Sequence, residues 1–84
     1  AGLEEHAFDE VYVYPNPANS KLYINNFRKD YTIHIYNSSG VELIRANQES
    51  IDISALIPGL YFVQIVETGG DFIKVEKVII NIEL

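Results

Sequence analysis

Two runs of β-branched and aromatic residues late in the chain, Leu60-Tyr61-Phe62-Val63-Gln64-Ile65-Val66 and Phe72 to Ile80, constrain the fold more than any other stretch. Each has strand composition. The connector between them, Glu67-Thr68-Gly69-Gly70, supplies two glycines that accept positive φ without steric cost, as a tight antiparallel connection requires. The two runs are therefore expected to pair as a hairpin. Just upstream, Pro58-Gly59 suits the middle of a type II turn: proline presets φ at the first central position and Gly59 takes the positive φ at the second. The expectation is a hairpin entered through a sharp corner, onto which the shorter strands pack.

Those shorter strands follow from alternation. Val11-Tyr12-Val13-Tyr14 has strand composition and is stopped by Pro15-Asn16-Pro17, whose prolines remove two backbone donors and so place the segment at a sheet edge. In Lys21 to Asn25, Leu22 and Ile24 share one face. In Tyr31 to Tyr36, Tyr31, Ile33 and Ile35 face inward, leaving Thr32, His34 and Tyr36 outward. Asn37-Ser38-Ser39-Gly40 reads as a type I turn whose Gly40 takes the left-handed position and closes a bulged hairpin with Val41 to Arg45. Ser50 to Ser54 alternates with Ile51 and Ile53 inward. In the last strand Ile73 and Val75 have one parity and Phe72, Val78 and Ile80 the other, so a bulge is expected near Glu76-Lys77. The result is seven short strands with turn signals between them and no convincing helix, which is the pattern of an all-β, antiparallel sandwich.

Composition narrows the function classes. The 84 residues make one domain, expected to have a stability of about 4 to 13 kcal/mol. Residues 1–10, rich in acids at Glu4, Glu5, Asp9 and Glu10, read as an acidic linker, with the domain running from Val11 to Leu84. The absence of methionine marks the chain as an expected piece of a longer parent protein. With no cysteine there is no disulfide, thiolate zinc site or cysteine nucleophile. A net charge of −6, from twelve acids against six bases, argues against nucleic acid and anionic membranes as partners. No apolar run approaches the roughly 20 residues that span a bilayer.

No catalytic constellation can be assembled. His6 lies in the linker and His34 on an outward strand position, so no histidine cluster forms, and the serines sit at turns and strand ends without a Ser-His-Asp arrangement. Asp52, Asp30, Asn16, Asn19, Asn25 and Asn26 could offer oxygen ligands to calcium but lack the spacing of a calcium loop. Asn37-Ser38-Ser39 matches a glycosylation sequon, yet these are also the residues the turn needs. Gly69-Gly70 precedes no helix and is no phosphate loop. The outward tyrosines, Tyr12, Tyr14, Tyr23 and Tyr36, suit cross-strand packing better than a sugar-stacking platform. No enzyme activity, cofactor, metal or small-molecule substrate is expected.

Six short motifs carry the functional signal by their order. They are Val13-Tyr14-Pro15-Asn16-Pro17, Leu22-Tyr23-Ile24, Ile35-Tyr36-Asn37-Ser38-Ser39-Gly40-Val41-Glu42-Leu43, Ile51-Asp52-Ile53-Ser54-Ala55-Leu56, Gly59-Leu60-Tyr61-Phe62-Val63 and Lys74-Val75-Glu76-Lys77-Val78-Ile79-Ile80. In this sequence and spacing the chain closely resembles the type A C-terminal sorting domain of type IX secretion cargo in Bacteroidetes, from Val11 to Ile80. Two departures are Asn37, where the family often has aspartate, and the tail Asn81-Ile82-Glu83-Leu84, which runs past the usual end.

The resemblance implies a seven-stranded immunoglobulin-like sandwich that catalyses nothing. It implies a domain fused to a cargo protein that travels through the periplasm and is read by the outer-membrane type IX translocon. A sortase-like cysteine protease then usually removes it, leaving the cargo at the cell surface or outside the cell. Lys74, Lys77, Val78, Ile79 and Ile80 become the candidate recognition residues, and Pro15, Asn16, Pro17, Gly40, Gly59 and Tyr61 the structural motif. The alternative, an accessory immunoglobulin or fibronectin-like module binding carbohydrate or protein on a secreted hydrolase, predicts the same fold.

Overall fold

Apolar residues at every second position turn one face of each strand inward, and seven such strands succeed one another in the computed structural model, which describes residues 11–81. They are β1 (Tyr12–Tyr14), β2 (Lys21–Asn25), β3 (Tyr31–Asn37), β4 (Glu42–Ala46), β5 (Ser50–Asp52), β6 (Gly59–Glu67) and β7 (Asp71–Ile80), with no helix among the described residues. The strands form a three-stranded sheet, β1-β2-β5, and a four-stranded sheet, β4-β3-β6-β7. Every pairing of strands is antiparallel. The hairpins β1–β2, β3–β4 and β6–β7 stay within a sheet, whereas the chain changes sheets between β2 and β3, β4 and β5, and β5 and β6.

The inward residues read from alternation make the core. Leu22, Ile24, Ile33, Ile35, Ile53, Val63, Ile65 and Val78 are fully buried, with Tyr31, Ile51, Tyr61 and Ile80 close behind. Tyr61 adds a bond that alternation cannot show: its hydroxyl donates to the Ile57 carbonyl four residues upstream. A tyrosine near the start of the sixth strand, tied back to the backbone before it, is the tyrosine corner of immunoglobulin-type sandwiches. β4 lies beside β3 in the larger sheet.

The turns agree with their chemistry at two places. Gly40 N–H donates to the Asn37 carbonyl at 2.9 Å, Gly40 has φ +88°, and the Asn37 side-chain oxygen accepts the N–H groups of Ser39 and Val41, so the bulged hairpin forms as expected. At the β6–β7 connection Gly70 N–H donates to the Glu67 carbonyl at 2.8 Å, and Gly69 and Gly70 have φ of +102° and +94°.

Two expectations are corrected. The corner before β6 is not at Pro58-Gly59. The chain turns earlier, where Leu56 N–H donates to the Ile53 carbonyl at 3.0 Å and the Asp52 carboxylate accepts from Ser54 N–H and Oγ–H at 2.9 and 2.7 Å. Gly59 does have positive φ, but +154° is far from the roughly +80° of a type II turn, and the residue already pairs with Ile80. This turn also ends β5 at Asp52, short of the expected Ser54.

The second correction concerns the bulge in β7. Ile65 pairs with Lys74 and Val66 with Phe72, so the extra residue is Ile73 rather than one near Glu76-Lys77. Ile73 thereby joins the core despite its parity, and Val75 is left on the outer face, 47% exposed. Expectations for residues 1–10, His6 among them, and for tail residues 82–84 concern chain outside the described residues.

Candidate functional site

The bulge at Ile73 decides which way every later side chain of β7 points. Beyond it, Val78 and Ile80 face the core, and Lys74 and Glu76 share their side of the strand. Val75, Lys77 and Ile79 face solvent on the opposite side. The five candidate recognition residues thus divide, with Lys77 and Ile79 outward and Lys74, Val78 and Ile80 inward.

The inward pair, Lys74 and Glu76, has partners in the other sheet. Lys74 Nζ donates to the Val11 carbonyl at 2.8 Å and pairs with Glu76 Oε2 at 3.1 Å, while Glu76 Oε1 accepts the Val13 N–H at 3.1 Å. β1 is an edge strand, so Val11 and Val13 would otherwise leave a carbonyl and an N–H open at the seam between the sheets. The two charges neutralise each other where both are partly shielded from water, and each also satisfies a backbone group.

A reciprocal contact closes part of the β7 edge. Asn16 Nδ2–H donates to the Lys77 carbonyl and Asn16 Oδ1 accepts the Ile79 N–H, both at 3.0 Å, so the carboxamide bonds to the strand as a neighbouring peptide unit would. Ala18 continues the contact: its N–H donates to the Ile79 carbonyl at 2.9 Å and its carbonyl accepts the Asn81 N–H at 2.7 Å. Pro15 and Pro17 flank Asn16 and have no N–H to satisfy. β7 side chains seal β1, and a β1–β2 loop side chain seals β7.

Elsewhere on the larger sheet the outer face is polar toward β4. His34 Nδ1 donates to Glu42 Oε1 at 3.0 Å and Arg45 Nε donates to Glu42 Oε2 at 3.1 Å. The bond from His34, which outweighs the opposing effect of burial and is reinforced by the bond and charge of Arg45, holds the Glu42 carboxyl below its ordinary value. Tyr36 Oη–H donates to Gln64 at 3.0 Å. Toward β7 the same face is apolar, where Lys77 stands opposite Phe62, and Ile79 opposite Leu60.

Three of the outward tyrosines contact one another: across strands Tyr14 is the register partner of Tyr23, with ring centroids 5.5 Å apart, and along β1 Tyr12 lies 5.9 Å from Tyr14. Among the described residues no three histidine or acidic side chains come together as a metal site. Of the oxygen donors weighed for calcium, Asn16 is bonded to β7 and Asp52 to Ser54. The Ser54 bonds lower the Asp52 carboxyl.

A model of the secretion system C-terminal sorting domain family matches residues 12–81. The chain belongs to this family. As a sorting domain it is similar to part of beta-agarase D from Zobellia galactanivorans, 32% identical over 76 residues that cover 87% of this chain and 15% of the agarase. The sorting domain's fold is also found in PorZ, described as an essential surface component of the type-IX secretion system of Porphyromonas gingivalis, with TM-score 0.69 and 19% identity over 95% of this chain and 13% of that one. Each relative is thus several times longer than the 84 residues. Membership identifies the domain as a C-terminal secretion sorting signal of the type IX system, directed toward the outer membrane or cell surface. The binding-module alternative is not favoured.

Proposed function

We propose that this sorting domain is a non-catalytic address, recognised in the periplasm by the outer-membrane type IX translocon. It is removed after passage by a sortase-like cysteine protease, leaving its cargo on the cell surface or released. The observation that carries this reading is the family match, which spans nearly every described residue, from 12 to 81. The geometry supports a contact role for β7. Lys77 and Ile79 stand free on its outer face to meet a partner, whereas Lys74, Val78 and Ile80 hold the strand against the rest of the sandwich.

The experiment is to fuse the 84-residue chain behind a periplasmically exported reporter in a Bacteroidetes host with type IX machinery. The expected result is reporter at the surface or in the medium, trapped in the periplasm when the translocon is deleted, and surface reporter retaining the domain when the protease is deleted. Periplasmic retention of the fusion in the intact host would refute the sorting role. Saturable oligosaccharide binding lost on Tyr14→Ala or Tyr23→Ala would instead support a binding module.

A further inference from the structure

The seal over the β7 edge is incomplete. In an antiparallel pair, alternate residues point both backbone groups at the neighbouring strand or both away. The outward Lys77 carbonyl and Ile79 N–H identify odd-numbered residues as those turned away from β6, and the register runs without a break from Ile80 back to Lys74. Val75 is the next such residue. Its N–H and carbonyl, together with the Lys77 N–H, therefore face outward, and none bonds to a described residue. The open stretch lies between two defined limits, the Ile73 bulge and the Asn16 carboxamide.

Natural sheets shorten, charge or cover such edges, because open backbone groups template the pairing of another strand. Here the edge is protected on both flanks and left open for one repeat in the middle. Side chains beside the gap also suit a partner. Val75 and Ile79 are exposed at 47% and 42%, and Lys77 between them makes no ion pair with a described residue. An extended segment laid along β7 would gain backbone bonds at Val75 and Lys77. It would place apolar side chains beside Val75 and Ile79 and an acidic one within reach of the Lys77 ammonium.

We propose that the Val75–Lys77 edge of β7 is a strand-docking site, occupied by an extended, acidic segment of the export machinery's recognition protein. This rests on the sorting role and specifies how the address is read, through added backbone pairing rather than through a pocket. The chain as a whole is acidic, at −6, but the charge at this edge is positive, and that local charge selects the occupant. Lys77 is the uncommitted cation of the strand, since Lys74 is spent on Val11 and Glu76.

The test uses the same reporter fusion with three single substitutions and a melting curve for each. Val75→Pro removes the outward N–H and puts a ring where a partner strand must lie, at a position where an edge strand tolerates proline. Val75→Thr keeps the donor, and Lys77→Glu reverses the charge on an exposed side chain. Delivery is expected to fall about tenfold or more for Val75→Pro and Lys77→Glu, with unchanged melting for Lys77→Glu and normal delivery for Val75→Thr.

Normal delivery by a folded Val75→Pro variant would overturn the site. If that variant fails to fold, Lys77→Glu decides, and its normal delivery would overturn the occupant's acidic character and with it the proposal. Failure of the unmutated fusion to be delivered would instead remove the sorting role beneath it. A second copy as occupant would show in light scattering as a dimer of the isolated domain that Val75→Pro makes monomeric, and this would also overturn the proposal.

Discussion

Replacing Asn16 with alanine removes one side chain from an exposed loop, yet the loss should be large for a surface position. Two hydrogen bonds of 3.0 Å disappear, to the Lys77 carbonyl and from the Ile79 N–H. A typical net contribution is about 0.5 to 1.5 kcal/mol each, and because water can reach both groups the lower half applies, giving about 1 to 2 kcal/mol in all. For a domain of this size that corresponds to a fall in Tm of about 4 to 16 °C. Differential scanning calorimetry on the wild type and on Asn16→Ala measures it.

Asn16→Asp sharpens the test. At neutral pH the carboxylate keeps an acceptor for Ile79 N–H but sets a second acceptor against the Lys77 carbonyl, so this variant should melt no higher than Asn16→Ala. Protonated, the same carboxyl can donate to the Lys77 carbonyl while its other oxygen still accepts from Ile79 N–H, as the amide does, so relative to wild type Asn16→Asp should recover on acidification. An Asn16→Ala domain melting within a degree of the parent would refute the assignment of the loop as a clasp on β7.

Two further outcomes follow from the packing. Tyr61→Phe should cost about 1 kcal/mol through the lost bond to Ile57, and Tyr61→Ala about 3 to 5 kcal/mol, much of a total of about 4 to 13, with urea unfolding as the measurement. The lowered Glu42 carboxyl contributes stability that is present above its unfolded pKa and lost as pH falls through the folded value, so Glu42→Gln should lose less Tm than the parent between pH 7 and pH 3.

Sequence reasoning reached those features whose cause is local. The inward residues Ile33, Ile35, Ile51 and Ile53 are set by period-two alternation, and the Asn37 to Gly40 hairpin by a side chain bonding within its own turn. It missed the corner before β6 because the turn is nucleated by Asp52 accepting from Ser54, in a stretch without glycine, while Gly59 already opens β6 and Pro58 directly precedes it. The bulge was misplaced because Ile73 and Val75 are equally apolar, and only their distance from the hairpin end separates them.

The candidate site was half legible. The sequence presents Lys74 and Lys77 alike, as recognition candidates, and the structure turns only Lys77 outward. Alternation reserves inward positions for apolar groups, but beside the open seam of a sandwich an inward charge such as Lys74 or Glu76 meets the neighbouring sheet's unpaired backbone. A lysine and a glutamate two apart, in phase with buried Val78 and Ile80, were the available signal.

The seals between β1 and β7 join residues 61 to 63 positions apart, the first and last strands in order of synthesis. A nascent chain carrying β1 through β6 therefore has no lysine for Val11, no glutamate for Val13 and nothing for Asn16 to hold. Closure is a long-range event that cannot begin before the seventh strand exists, and loop-closure entropy makes it late even then. A polypeptide interrupted anywhere upstream of Lys74 presents an unfastened seam. The finished sandwich is in this sense a receipt, a surface that only a fully translated domain can display.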